Sequence, residues 1–263
     1  ARLWGYDRIP ATLPPLPRAP LTAERTVEQN IAFEFQVRDL LAAAGFQEIL
    51  SYSLVSPMDQ ARIGVNDDDA LALENPLSSE YSLLRNSLLI GSLQTAARNL
   101  NRKSAFGLRL FEIGYRYGDG ASGKQKEPTQ ALTLSLAVAG VPLPRWGGSS
   151  RAFGVSDLKG AVAVLFERLG IPFQERVETG AAPAHFLKPS LLWESSGRRV
   201  GVAGEVEPSV LGAYNLPEDC SLAYAEIEME ELSALFRAPR KIQPLPKVPP
   251  VLRDIAIVVS EEI

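Results

Sequence analysis

Two crowds of proline limit where this chain can hold regular structure. Pro10, Pro14, Pro15, Pro17 and Pro20 stand near one end, and Pro239, Pro244, Pro246, Pro249 and Pro250 near the other, the latter among Arg237, Arg240, Lys241 and Lys247. A fixed φ and a missing N–H exclude helix interior and central strand at such places, so both stretches read as extended linkers. Residues 1–20 and 238–250 are assigned to them, and residues 21–237 form a body of about 220 residues, enough to bury a large core. Past the second linker, in residues 251–263, Ile255, Ile257 and Val259 alternate with Ala256 and Val258 as in one β-strand. A lone strand is not a domain. The sequence also starts without Met and stops just after an apolar run, so the expectation is a piece of a longer chain.

The body mixes both periodicities. Thr26 with Gln29 resembles a capping box, and Val27, Ile31 and Phe35 with Val37, Leu41 and Ala44 give a helix ending at Gly45. Leu50, Tyr52 and Leu54 alternate with serines, which predicts a strand. A second helix is expected over 87–102, followed by a strand over 108–117 and another carrying Leu132, Leu134, Leu136 and Val138, paired as a hairpin across a polar loop. Ser156 caps a third helix that ends at Gly170. Further strands are predicted over 173–177, 190–194, 199–205 and 222–228, with short helices over 208–214 and 230–236. Strands joined by tight turns with helices to one side argue for an α+β fold around a mostly antiparallel sheet; regular strand–helix alternation, the mark of a doubly wound sheet, is missing.

Composition removes several kinds of chemistry. With one Cys and one His there is no internal disulfide and no Cys/His zinc site of about four ligands. A histidine-dependent triad must use His185 and a cysteine nucleophile must be Cys220, yet no motif sets a partner beside either. His185 reads as a satisfied or surface histidine and Cys220 as an unreactive thiol. Asp67, Asp68 and Asp69 lack the spaced ligands of a calcium loop, and Gly118, Gly120 and Gly123 lack the Gly-Lys-Ser/Thr ending of a phosphate loop. Arg98, Asn99, Asn101, Arg102 and Lys103 suit either RNA or the negative end of a helix. At a net charge of −4 the chain does not bind nucleic acid by overall field. No stretch approaches the roughly 18 apolar residues of a membrane span, and no signal peptide opens the sequence, so a cytoplasmic protein is expected.

Six segments in order carry a family resemblance: 2–10 (Arg-Leu-Trp-Gly-Tyr-Asp-Arg-Ile-Pro), 75–88 (Asn-Pro-Leu-Ser-Ser-Glu-Tyr-Ser-Leu-Leu-Arg-Asn-Ser-Leu), 111–117, 156–160, 204–208 (Gly-Glu-Val-Glu-Pro) and 249–256 (Pro-Pro-Val-Leu-Arg-Asp-Ile-Ala). They are similar to the β chain of bacterial-type phenylalanyl-tRNA synthetase. The resemblance implies the end of a B5 module and its linker in residues 1–20, a class II synthetase-like B6–B7 module with an antiparallel sheet flanked by helices in residues 21–237, and the first strand of a ferredoxin-like anticodon-binding B8 domain in residues 251–263. It also implies an α2β2 ligase that joins phenylalanine to tRNA(Phe) with ATP and magnesium, in which the catalytic residues belong to the alpha chain. This chain would be a non-catalytic scaffold, with no catalytic, cofactor or metal residue of its own. The rival readings are an adenylating enzyme or an RNA-binding module on the same fold.

Two departures from the family stand out: Phe186-Leu187-Lys188-Pro189-Ser190-Leu191 replaces a usual His-Pro-Gly-Arg-Ser-Ala, and Phe153 to Gly160 replaces an Asp-Phe-Phe-Asp-Leu-Lys-Gly-like run. A class II site clamps nucleotide phosphates with arginines. By resemblance Arg116, after Glu112, is a remnant of the first; the second is missing, because Gly201-Val202-Ala203-Gly204 leads to Glu205, Glu207 and Pro208. On the first helix Phe33 and Phe35 lie about 200° apart, so one side can face the sheet while the other stays apolar. The resemblance makes that helix a subunit interface, with Val27, Ile31, Phe33 and Phe35 as its candidate residues.

Overall fold

The computed structural model describes residues 27–64, 70–102, 106–119, 128–143, 151–180 and 183–236, with Gly5, Arg8, Arg253, Asp254 and Ala256. But for isolated positions, both proline-rich linkers and the strand expected over 251–263 lie outside the described residues, as do Thr26, Asp67 to Asp69, Lys103 and the tip of the expected hairpin.

In chain order the elements are α1 (Val27–Ala43), β1 (Gln47–Glu48), β2 (Leu54–Val55), α2 (Pro57–Arg62), a 3₁₀ turn (Ser79–Tyr81), β3 (Leu83–Leu84), α3 (Leu89–Leu100), β4 (Leu108–Asp119), β5 (Pro128–Ala139), α4 (Val155–Leu169), β6 (Gln174–Glu178), β7 (Ser190–Ser195), β8 (Arg198–Glu205), α5 (Pro208–Ala213), β9 (Leu222–Glu228) and α6 (Met229–Leu235). Seven strands form one sheet in the order β1-β4-β5-β9-β8-β7-β6, and β2 pairs with β3 apart from it. All neighbours in the large sheet are antiparallel except β1 and β4. The α+β class and the antiparallel sheet flanked by helices are thus as the sequence predicts.

Alternation along the strands sends side chains to two covered faces. Phe111 and Ile113 of β4, Leu134, Leu136 and Val138 of β5, and Ala223, Ala225 and Ile227 of β9 lie under α1, α4 and α6 in one core. Leu110, Ala137, Ala139, Leu222 and Tyr224 lie on the other face with Leu89, Ile90 and Leu93 of α3 and Val210 and Leu211 of α5. Helix α4 ends where expected, at Gly170 with φ +69°, a conformation that glycine adopts without steric cost. It starts differently. Ser156 is not the cap: the helix begins at Val155, where the Asp157 carboxylate accepts the Gly154 N–H at 3.0 Å and holds Arg151.

The strand predicted through Leu50, Tyr52 and Leu54 does not form as one element. Edge strand β1 stops at Glu48, and Leu50 and Tyr52 are 87% and 79% exposed. Alternation alone predicted pairing, but the sheet covers only one side of this segment. No helix among the described residues is long and apolar enough to cross a membrane.

Candidate functional site

The second face of the sheet is apolar toward α3 and α5 and polar toward the other ends of its central strands. Glu112, Gly114 and Arg116 of β4 alternate onto this face, opposite Phe111 and Ile113. Register sets Ser135 of β5 beside Glu112 and Thr133 beside Gly114; Glu226 and Glu228 of β9 stand beside Ser135 and Thr133. Three carboxylates and their partners therefore meet where the three strands run side by side.

Arg85, just after β3, enters this face and is 3% exposed. Its Nη1 donates to Glu112 Oε1 at 2.8 Å and to Ser51 Oγ at 2.7 Å, and its Nε donates to the Tyr115 carbonyl at 2.9 Å. Ser51 Oγ in turn donates to Glu112 Oε2 at 2.6 Å. The guanidinium fits because position 114 is glycine: a Cβ there would stand 2.3 Å from Arg85 Nη2. A buried ion pair carries a desolvation cost, which these additional bonds help to offset.

Glu226 performs a different task. Its Oε1 accepts the Ser87 hydroxyl at 2.6 Å, the Leu88 N–H at 3.0 Å and the Tyr224 hydroxyl at 2.7 Å. It thereby ties the start of α3 to the sheet, where the positive end of the helix favours an anion. Burial, with Glu226 beside it, pushes the Tyr224 phenol well above its ordinary range. Arg116, the candidate phosphate clamp, is ion-paired with Glu228 and donates from Nε to Thr133 Oγ1 at 3.2 Å. A cavity of about 360 Å³ opens here, lined by Arg116, His185, Arg199, Tyr224, Glu226 and Glu228 among others.

A triphosphate would meet carboxylates in this cavity. Like charges at 4 Å repel by about 4 kcal/mol at an effective dielectric of 20. Arg116 would first have to leave Glu228. The glycines of β8 are used for packing: a Cβ at Gly201 would stand 2.8 Å from the Glu226 carbonyl oxygen, and one at Gly204 2.7 Å from the Phe186 ring. Neither strand-to-helix junction supplies a second arginine, since β8 leads through Glu205 and Glu207 into α5, and β9 leads through Glu228 into Met229, Glu230 and Glu231 of α6.

On the outside of α1, Val27, Ile31 and Phe35 form an i, i+4, i+8 stripe that is 74%, 49% and 60% exposed. Phe33 corrects the expectation. It is 3% exposed and packs on Phe236 with ring centroids 5.2 Å apart, because its side of the helix faces the sheet and α6. Val37 and Leu41 continue that inner side.

The family model described as the Phenylalanyl tRNA synthetase beta chain CLM domain matches residues 9–229. The chain belongs to this family. The phenylalanine–tRNA ligase beta subunit of Moorella thermoacetica is 34% identical over 267 residues, covering 98% of this chain and 32% of that protein. That of Geobacter sulfurreducens is 31% identical, covering all of this chain and 32% of its own length. The chain thus spans about a third of these curated relatives. Among solved structures, a pyrrolysyl-tRNA synthetase from Desulfitobacterium hafniense superposes with a TM-score of 0.60 at 16% identity, over 79% of this chain and 70% of the other. A second structure of that enzyme gives 0.59 at 16%, over 82% and 76%. The fold is that of the class II synthetases, and the chain is a synthetase-like module of a phenylalanyl-tRNA synthetase beta chain.

Within this family module the other singled-out residues have local structural contacts. Cys220 is half-buried, donates to the Ser221 carbonyl, and has its thiol pushed up by burial. Arg98 and Asn99 bond back to Thr95, and Asn101 reaches the Asn215 carbonyl. His185 is half-buried, edge-on to Phe186 at 4.5 Å. Burial holds its imidazole below the ordinary 6.5, against the pull of Glu226 and a hydrogen bond with the Ile63 backbone.

The folded chain therefore binds a proton at His185 more weakly than the unfolded chain. As pH falls through about 6.5 the unfolded state gains the proton first, and stability drops by at most about 1.4 kcal/mol per pH unit from this group. With one histidine in the chain, comparing denaturant unfolding of wild type and His185→Gln at pH 7.5 and 5.5 isolates the effect. The wild type is expected to lose more; equal losses would contradict the assignment.

Arg85 and Glu226 were missed as site residues from sequence, and Glu112 was noted only beside Arg116. A signal was present for one: Arg85 lies in the resemblance segment 75–88.

Proposed function

We propose that this module is non-catalytic and scaffolds the catalytic alpha chain of a phenylalanine–tRNA ligase during ATP-dependent charging of tRNA(Phe). The observation that carries the reading is the engagement of Arg116 by Glu228 on a sheet face whose strand-to-helix junctions are acidic. A site arranged in this way repels the anion that an adenylating enzyme must hold. The residues present do not fit a bound ATP with its magnesium, so those cofactors are assigned to the alpha chain. The relatives are named beta subunits, which supports a partner chain.

Exposed apolar positions support a surface for such a partner. Val27, Ile31 and Phe35 of α1 are one part, and Leu50 and Tyr52, just past edge strand β1, are the other. Burying them would contribute on the order of 1–2 kcal/mol each. Co-expression with an alpha chain followed by sizing tests the reading: the two chains are expected to co-elute. Ile31→Glu/Phe35→Glu is expected to abolish co-elution while changing unfolding free energy by less than about 1 kcal/mol, as surface substitutions do. Folded wild type that elutes without the alpha chain would overturn it.

A further inference from the structure

The cavity of about 360 Å³ beside Arg116 keeps a recognition group that the fold leaves unused. Glu226 is half-buried, and its three bonds, from the Ser87 hydroxyl, the Leu88 N–H and the Tyr224 hydroxyl, all end on Oε1. Oε2 accepts no bond among the described residues and is not sealed from solvent, so it faces the cavity that Glu226 lines. Each cation nearby is either engaged or screened. Arg116 is paired with Glu228, and Arg85 with Glu112. Arg199 lines the cavity without an ion pair among the described residues, but it is exposed, so water and salt screen its charge. His185 adds no charge at neutral pH, because burial holds its imidazole low.

One carboxylate charge inside the cavity is therefore uncompensated, and away from bulk water it attracts a cation more strongly than a surface carboxylate does. The same charge excludes an anion. A metal ion does not fit either, since no group of three His, Cys, Asp or Glu among the described residues could hold one. The remaining wall is apolar, from Pro183, Phe186 and Val202, with the Phe186 ring 6.3 Å from that of Tyr224. The volume lies within the range of small-molecule sites. We infer that this cavity binds a small primary ammonium compound, with its ammonium on Glu226 Oε2 and its apolar part against Pro183, Phe186 and Val202. The site uses none of the positions assigned to the alpha chain and stands independently of the scaffold reading.

Calorimetric titration of this chain at pH 7.5 tests the inference with four probes: benzylammonium, benzyl alcohol, phenylacetate and phenylalanine. Benzylammonium is expected to bind about tenfold or more tightly than benzyl alcohol, the order of one charge-assisted hydrogen bond. Phenylacetate is expected not to bind, and phenylalanine to bind more weakly than benzylammonium, because its carboxylate enters beside Glu226 and Glu228. Glu226→Gln keeps an acceptor for Ser87, Leu88 and Tyr224 and is expected to weaken benzylammonium about tenfold. Arg199→Ala, an exposed change that leaves the fold intact, is expected to tighten it about two- to fivefold by removing a like charge. Equal affinity for the amine and the alcohol, tighter binding of phenylalanine, or weaker binding by Arg199→Ala overturns the inference. So does a folded Glu226→Gln that binds within twofold of wild type. Co-elution with an alpha chain is untouched by any of these results.

Discussion

Replacing Arg85 by alanine is expected to lower the unfolding free energy by about 3–5 kcal/mol, the usual consequence of stripping one partner from a buried ion pair. The variant leaves the Glu112 carboxylate, 1% exposed, without its cation, and it deprives the Tyr115 carbonyl of its guanidinium donor. A domain holds about 5–15 kcal/mol in all. Urea unfolding should therefore show a much lower midpoint with little change of slope. Arg85→Met/Glu112→Leu removes both charges and keeps the volume, and is expected to recover a large part of the loss. The asymmetry identifies the mechanism: the single variant suffers from an unpaired buried charge more than from lost attraction. Arg85→Ala as stable as wild type would mean that the pair is not sealed from water.

The second large effect belongs to the opposite face. Phe166 of α4 is fully buried, with Phe173 at 5.1 Å and Trp193 at 6.5 Å between ring centroids, both edge-on. Phe166→Ala is expected to cost about 3–5 kcal/mol in the same assay, from lost transfer energy and an unfilled cavity. Phe166→Leu keeps most of the volume and should cost roughly 1–2 kcal/mol. Equal costs for the two variants would show that the space collapses freely, which a core ringed by rigid aromatics should not allow.

These two sites differ in how readily the sequence discloses them. Helix α4 was legible because Leu158, Val162, Leu165, Phe166 and Leu169 recur at helical spacing and Gly170 stops them. Strands β4, β5, β8 and β9 were legible by alternation. The polar sheet face was not. Glu112, Arg116, Glu226 and Glu228 stand at alternate strand positions, a pattern that normally means solvent, whereas α3, Arg85 and the segment around Ser51 turn part of it into an interior. Phe33 shows a related limit: period marks two apolar sides of α1, but the choice of inner side depends on where α6 and Phe236 lie. Leu50 and Tyr52 alternate as a strand would, yet one-sided cover leaves them to solvent. The family resemblance singles out Arg116 as a candidate clamp, whereas its engagement by Glu228 depends on strand order β4-β5-β9, which no local pattern encodes.

The non-catalytic character of the module is tested most directly by ATP–pyrophosphate exchange with phenylalanine, using the purified chain without an alpha chain. Exchange no higher than that of the heat-inactivated chain is expected. Robust exchange by the chain alone, lost on Arg116→Ala, would contradict the account, because it would require Arg116 to leave Glu228 and hold a nucleotide phosphate.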